Sequence, residues 1–213
     1  MIKEIFGDYL WISKMDPEFI EEYKKLFETS NHTINTNSWS DCNVKSSFFN
    51  KELIKNKSSI DYNGMFSKRL NSEMENFISE LENYGEDKVT IDLKYKIQNI
   101  WYNKYNMGDF QEIHCHTGRD SFYSFIYQYK TTNKKLDSRV VFVNPRSSFF
   151  KGNMYNEIIK KENYKSDYRP CLSDGELIIF PSHMKHFVSV HKNSDNDRIS
   201  ISGNINLINN IDF

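Results

Sequence analysis

The chain has 213 residues, 38% hydrophobic and 15% aromatic, enough for one substantial core and too few for two ordinary enzyme domains. Its 28 basic and 29 acidic side chains leave a net charge of -1, which removes the electrostatic case for a dedicated nucleic-acid or anionic-membrane binder. Alanine is absent while Asn, Lys, Ile, Tyr and Phe abound, a bias that reads as pressure from an AT-rich genome and not as function.

Cys42, Cys115 and Cys171 are widely spaced and form no CxxC pair, which suits a reducing compartment. The first residues, Met1-Ile2-Lys3-Glu4-Ile5, mix charge with apolar side chains and lack the apolar core of a signal peptide. No apolar run is long enough to span a bilayer, so a soluble cytoplasmic protein is expected.

In chain order, Asp16-Pro17-Glu18 supplies an N-cap, a proline at the first helical position and an early acid. Phe19, Ile20, Tyr23, Leu26 and Phe27 then recur at helical spacing, predicting a helix that ends near Ser30. Residues 32–63 are polar, with Trp39, Phe48 and Phe49 as anchors, and read as a peripheral loop with short elements. A second helix is predicted over 68–84, where Leu70, Met74, Phe77, Ile78 and Leu81 form one stripe and Gly85 offers a stop. Each helix has one apolar face, and a sheet is the natural surface for it to cover.

From Val89 the period changes to two: Ile91, Leu93, Tyr95 and Ile97 alternate with Asp92, Lys94, Lys96 and Gln98. Further strands are predicted at 122–129, 139–143, 176–180, 185–190 and 198–207, separated by turns at Gly108-Asp109, Asn144-Pro145 and Asp174-Gly175 and by the polar stretch 192–197. Many short strands after two helices predict a mainly β jelly roll with the helices packed on one sheet. The chain reads as a single domain, 1–213, in which residues 1–88 give helical and loop support and residues 89–208 form the core.

Three features in the strand-rich half carry chemistry. Residues i and i+2 of a strand share a face, so His114 and His116 of Gln111-Glu112-Ile113-His114-Cys115-His116 can present two imidazoles to one ion. Asp174-Gly175 leads into the apolar run 176–180, Pro181 breaks it, and His186 opens the next strand, which an antiparallel hairpin can return to the histidine pair. In 198–204, Arg198, Ser200 and Ser202 share a face opposite Ile199 and Ile201. If that face is interior, the guanidinium needs an anionic partner. The plain alternative pairs Arg198 with Asp195 or Asp197 at a strand edge.

Together, His114-Cys115-His116, Gly175 to Ser182 with His186, and Arg198-Ile199-Ser200 resemble the core motifs of 2-oxoglutarate and Fe(II)-dependent oxygenases, including versions found in phages. Trp101-Tyr102-Asn103-Lys104 with Gly108-Asp109, and Asn144-Pro145-Arg146, match flanking pieces of the same family. The resemblance spans about 95–207. It implies a double-stranded β-helix (jelly roll, cupin-like) holding one Fe(II) at its open end, with positions left for 2-oxoglutarate and dioxygen. Arg198, helped by Ser200, would clamp the distal carboxylate of 2-oxoglutarate, and Asn103 and Asn204 would be polar pocket residues. The implied activity is a dioxygenase that hydroxylates a protein side chain or small metabolite and releases succinate and CO2.

One departure stands out. The family pattern is His-x-Asp with a distant His, and His116 stands where the carboxylate would be. Three readings are open: an all-histidine triad of His114, His116 and His186; an oxygen ligand from Asp120 or Asp109; or a metal site without the chemistry. The triad needs no loop rearrangement and is preferred, with Asp120 as the alternative ligand.

The remaining candidates read plainly. His183, His32 and His191 are expected at the surface, Cys115 as a small core residue, and Tyr102, Tyr105 and Tyr127 in core or pocket lining. Residues 147–170, with Phe149, Phe150 and Tyr155, are the expected lid. A competing class is a cupin-like metal-binding module or a non-catalytic jelly-roll interaction protein of a virus.

Overall fold

The computed structural model describes residues 1–30, 44–49, 58–84, 94–117, 121–146 and 166–208. Eleven strands are described: β1 (Ile2–Ile5), β2 (Asp8–Lys14), β3 (Lys45–Ser46), β4 (Tyr95–Tyr105), β5 (Gln111–His114), β6 (Ser121–Lys130), β7 (Val140–Val143), β8 (Asp167–Tyr168), β9 (Glu176–Pro181), β10 (His186–Val188) and β11 (Arg198–Leu207). They form a seven-stranded sheet, ordered β1-β2-β9-β6-β11-β4-β3, and a four-stranded sheet, ordered β5-β10-β7-β8. Every described pairing is antiparallel. This is the expected double-stranded β-helix.

The strands predicted at 122–129, 139–143, 176–180 and 185–190 recur within about two residues and β11 matches its predicted span, whereas the alternation read over 91–98 becomes β4 from Tyr95 to Tyr105, with residues 91–93 outside the described residues. The continuous apolar run of β9 is explained by burial on both faces. Leu177 and Ile179 join Phe125, Tyr127, Ile201 and Ile205 under the helices, while Ile178 and Phe180 join Ile126, Val140 and Phe142 between the sheets.

The helices are α1 (Pro17–Thr29), a single turn α2 (Ser58–Asp61) and α3 (Met65–Glu82). Asp16 caps α1 by accepting from the Phe19 N–H at 2.8 Å, and Phe19, Tyr23 and Phe27 face the sheet. The second helix begins three residues before its predicted start. Gly64, at φ 87°, turns the chain into it, and the Asp61 carboxylate accepts from the Ser67 N–H and hydroxyl at 2.6 and 2.7 Å. The expected stop at Gly85 and the anchor Trp39 lie outside the described residues.

The sequence reading places no strand before Val89, whereas β1 and β2 form a hairpin on one edge of the large sheet, with β2 paired to β9. Phe6 and Gly7 both have positive φ, 57° and 94°, as a two-residue primed turn requires. Leu10 and Trp11 are adjacent and both buried, because the large sheet is covered on both faces here, so no period of two announces the strand.

Candidate metal centre and acid pocket

The three histidines reach one place by different routes. His114 ends β5, and His186 opens β10 directly opposite it in the ladder. The antiparallel hairpin expected to return His186 is not what forms: after Pro181 the chain crosses from the large sheet to the small one, and β10 pairs with β5 and β7. His116 lies just beyond β5, where its N–H donates to the Ser182 carbonyl at 2.9 Å and ties it to the end of β9. The three rings lie 4.3, 5.1 and 5.3 Å apart, centroid to centroid, and one ligand atom from each falls within 4.8 Å of the others.

Each Nδ1 faces an oxygen acceptor: His114 the Glu112 carbonyl at 2.7 Å, His186 the Met184 carbonyl at 2.9 Å, and His116 the Asn204 amide oxygen at 2.8 Å. An imidazole that donates from Nδ1 keeps its Nε2 lone pair free, the form a metal ligand needs. Burial among Phe142, Phe180 and Trp101 opposes protonation of all three. It lowers the pKa of His114, takes His116 to about 4, and holds His186 well below the usual imidazole range.

The same cavity is lined by Trp101, Asn103, Tyr105, Ile126, Arg198 and Ser200, among others. Arg198, Ser200 and Ser202 therefore face inward while Ile201 faces the helices. Arg198 is 2% exposed, and its Nε donates to the Gln128 amide oxygen at 3.0 Å. Its guanidinium lies 4.9 Å from the Tyr105 ring centroid, and burial lowers its pKa. Among the described residues no carboxylate lies within ion-pair distance of Arg198, and its Nη1 is buried without a hydrogen-bond partner. The plain alternative fails: Asp197 pairs with Lys104 at 2.6 Å, and Asp195 accepts from Ser194. Asn103 Oδ1 and Trp101 Nε1 are also buried and unpartnered at the cavity wall.

The donor set fits an ion and an acid. Three neutral imidazoles suit a divalent transition metal, and a buried guanidinium with an unpartnered Nη1 suits a carboxylate.

Asp120 lies outside the described residues, as do 147–165 of the expected lid, including Phe149, Phe150 and Tyr155. Asp109 is occupied in its own turn, accepting from the Asn106 N–H and side-chain amide at 2.8 and 3.2 Å. His183 is exposed and pairs with Asp8 at 3.2 Å. His191, expected at the surface, is fully buried: its Nδ1 accepts from the Ser138 N–H and its Nε2 donates to the Asn196 carbonyl. Cys115 is partly exposed and not in the core. Tyr105 lines the cavity, whereas Tyr102 and Tyr127 pack under the helices. Gln128 and Ser124 were not singled out in the sequence; their inward position on β6, opposite Ser200 and Asn204 of β11, follows only from strand register.

Residues 99–204 match the family model described as "Putative 2OG-Fe(II) oxygenase". The chain belongs to the 2OG-Fe(II) oxygenase family. The cofactors of this oxygenase family are Fe(II) and 2-oxoglutarate, and the histidine cluster and Arg198 lie within or beside the matched span. Solved structures show the same fold at low identity. A 2OG-Fe(II) oxygenase family oxidoreductase from Burkholderia pseudomallei is 11% identical, with a TM-score of 0.57 over 92% of this chain and 85% of that one. A Pseudomonas putida prolyl-4-hydroxylase is 10% identical, with a TM-score of 0.57 over 94% and 93%. HygX from Streptomyces hygroscopicus, solved with nickel and 2-oxoglutarate, is 7% identical, with a TM-score of 0.58 over 92% and 82%. A search of curated proteins gives no significant match.

Proposed function

We propose that this oxygenase hydroxylates a peptide side chain or a small metabolite, with His114, His116 and His186 as the protein ligands of Fe(II) and Arg198 as the anchor of 2-oxoglutarate. The observation that carries the reading is a cluster of three imidazoles with ligand atoms within 4.8 Å of one another, in the same cavity as a buried guanidinium with no carboxylate partner among the described residues and an unpartnered Nη1. When bound, Fe(II) with the keto acid and dioxygen supplies the oxidising power to attack an unactivated C–H bond, with succinate and CO2 as co-products.

The residues of the chain prepare this chemistry. Arg198 holds the distal carboxylate, Ser200 adds a hydroxyl beside it, and Gln128 and Tyr105 hold the guanidinium in place. Trp101, Ile126 and Val188 wall the cavity with apolar surface, which excludes water and strengthens the charge pairing. Asn103 offers a spare acceptor at the wall.

The free thiols Cys115 and Cys171 are consistent with work in a reducing cytoplasm.

Anaerobic addition of Fe(II) and then 2-oxoglutarate is expected to raise the melting temperature in two steps, and aerobic incubation to release succinate slowly without substrate. Metal retention with no response to 2-oxoglutarate would identify a binding module instead. Failure of both would overturn the reading.

A further inference from the structure

His116 is the ligand that departs from the family pattern, and it differs from its two partners in what holds it. His114 and His186 meet backbone carbonyls, which can only accept, so their tautomers are set by the main chain. His116 Nδ1 meets two side chains, the Asn204 amide oxygen at 2.8 Å and the Ser124 hydroxyl at 3.1 Å, and a hydroxyl can either donate or accept. Its tautomer is therefore decided by how a buried hydroxyl chain is wired.

The chain has few options. Ser121 and Ser182 share a hydrogen bond at 2.8 Å, Ser182 and Ser124 another at 2.8 Å, and Ser124 Oγ lies 3.0 Å from Asn204 Oδ1. Ser124 and Ser182 are buried, and each carries one hydroxyl proton. If every proton runs the same way, Ser121 donates to Ser182, Ser182 to Ser124 and Ser124 to Asn204. The amide oxygen has two lone pairs; Ser124 takes one, and the other is filled by the Nδ1–H of His116. In that wiring no donor is left for a bare Nδ1, so His116 carries its own proton there, donates it to the Asn204 amide oxygen and presents bare Nε2.

Asn204 is placed for this by the backbone beside it. It sits on the inner face at the bulge where β11 shifts register against β4. A Cβ on the preceding residue, Gly203, would fall 2.3 Å from the Asn99 carbonyl oxygen and 2.5 Å from the Phe125 ring, so glycine is what lets the strand press close enough.

We infer that Asn204 is a positioning residue that locks His116 in the Nδ1–H tautomer through its amide oxygen, with the Ser121-Ser182-Ser124 hydroxyl chain setting the direction. This rests on the reading of His116 as a metal ligand only for its consequence, not for its geometry. An acceptor that fixes a ligating imidazole typically matters 10- to 100-fold in metal affinity, on the order of other outer-shell contacts.

The test is long-range 1H–15N NMR of the 15N-labelled, metal-free chain, with the His116 signals assigned by their loss in His116→Gln, together with Co(II) titration. The wild type should show His116 protonated at Nδ1. Asn204→Leu should shift it toward Nε2–H, because Ser124 then donates to Nδ1, and should weaken Co(II) binding by about 10- to 100-fold. Asn204→Asp, which keeps an acceptor at the same place, should restore the tautomer and bind Co(II) at least as tightly as wild type. A wild-type His116 protonated at Nε2 overturns the inference, as does an Asn204→Leu protein with an unchanged tautomer. If the tautomers behave as stated and Co(II) does not bind, the role of Asn204 stands and the metal reading of the site falls.

Discussion

Replacing Arg198 with Met separates what the guanidinium does for the fold from what it does for the ligand. In the ligand-free protein the side chain is buried, unpaired by any described carboxylate, and carries one orphaned nitrogen. Exchanging a buried charge for an apolar group of similar length is often neutral or stabilising by about 1–4 kcal/mol. Against that, Gln128 Oε1 loses the donor at 3.0 Å, which costs about 1–3 kcal/mol if it stays buried. The two nearly cancel, so the ligand-free stability of Arg198→Met should stay within about 2 kcal/mol of wild type.

Ligand binding should behave quite differently. At a free concentration 100 times its Kd, a ligand stabilises by about 2.7 kcal/mol, a rise of roughly 5–10 °C for a domain of this size. Removing one partner of a buried charge pair costs about 2–5 kcal/mol. Even the lower figure, about thirtyfold in Kd, leaves less than about 1 kcal/mol of stabilisation at the same concentration. Differential scanning fluorimetry with Fe(II) and 2-oxoglutarate, alongside urea denaturation without them, reads both quantities. A variant that loses more than about 3 kcal/mol without ligand while keeping its full response to 2-oxoglutarate would refute the reasoning and make Arg198 a structural residue.

Three further outcomes follow from the structure. Asp16→Ala removes the α1 cap to Phe19 N–H and the ion pair to Arg69 at 3.1 Å, and should cost about 1 kcal/mol, seen as a lower urea midpoint at unchanged slope. Gly203→Ala should cost about 1–3 kcal/mol or more, because its methyl group would meet the Asn99 carbonyl and the Phe125 ring; a melting temperature equal to wild type would contradict the close packing. In the metal-free protein, burial depresses the pKa of His114, His116 and His186, so the unfolded chain takes up these protons first. Stability is then whole above the ordinary imidazole pKa of 6.5 and falls as pH drops toward about 4, with His116 contributing up to about 3 kcal/mol. Urea midpoints at pH 7 and 4.5 should differ less in His116→Gln than in wild type.

Much of the fold was legible because its signals are local. Asp16-Pro17 announces α1, the alternation in 198–207 announces β11 with its polar inner face, and Asp174-Gly175 before an apolar run announces β9. The β1–β2 hairpin was not legible, because β2 is buried on both faces and adjacent Leu10 and Trp11 erase the period of two. His191 looked like a surface histidine beside lysine and asparagine, yet the backbone groups of Ser138 and Asn196 satisfy both ring nitrogens and allow full burial.

The sequence by itself determined which side chains carry charge and metal affinity, and which lie on a common strand face by the pleat: His114 with His116, and Arg198 with Ser200 and Ser202. Only the tertiary structure decided that these faces meet. That meeting depends on the crossing after Pro181 from one sheet to the other, which sets His186 opposite His114, and on the pairing of β6 with β11, which sets Gln128 beside Arg198 and Ser124 beside Asn204. Strand period is a property of neighbours in the chain, whereas register between distant strands is selected by the packing of the whole core.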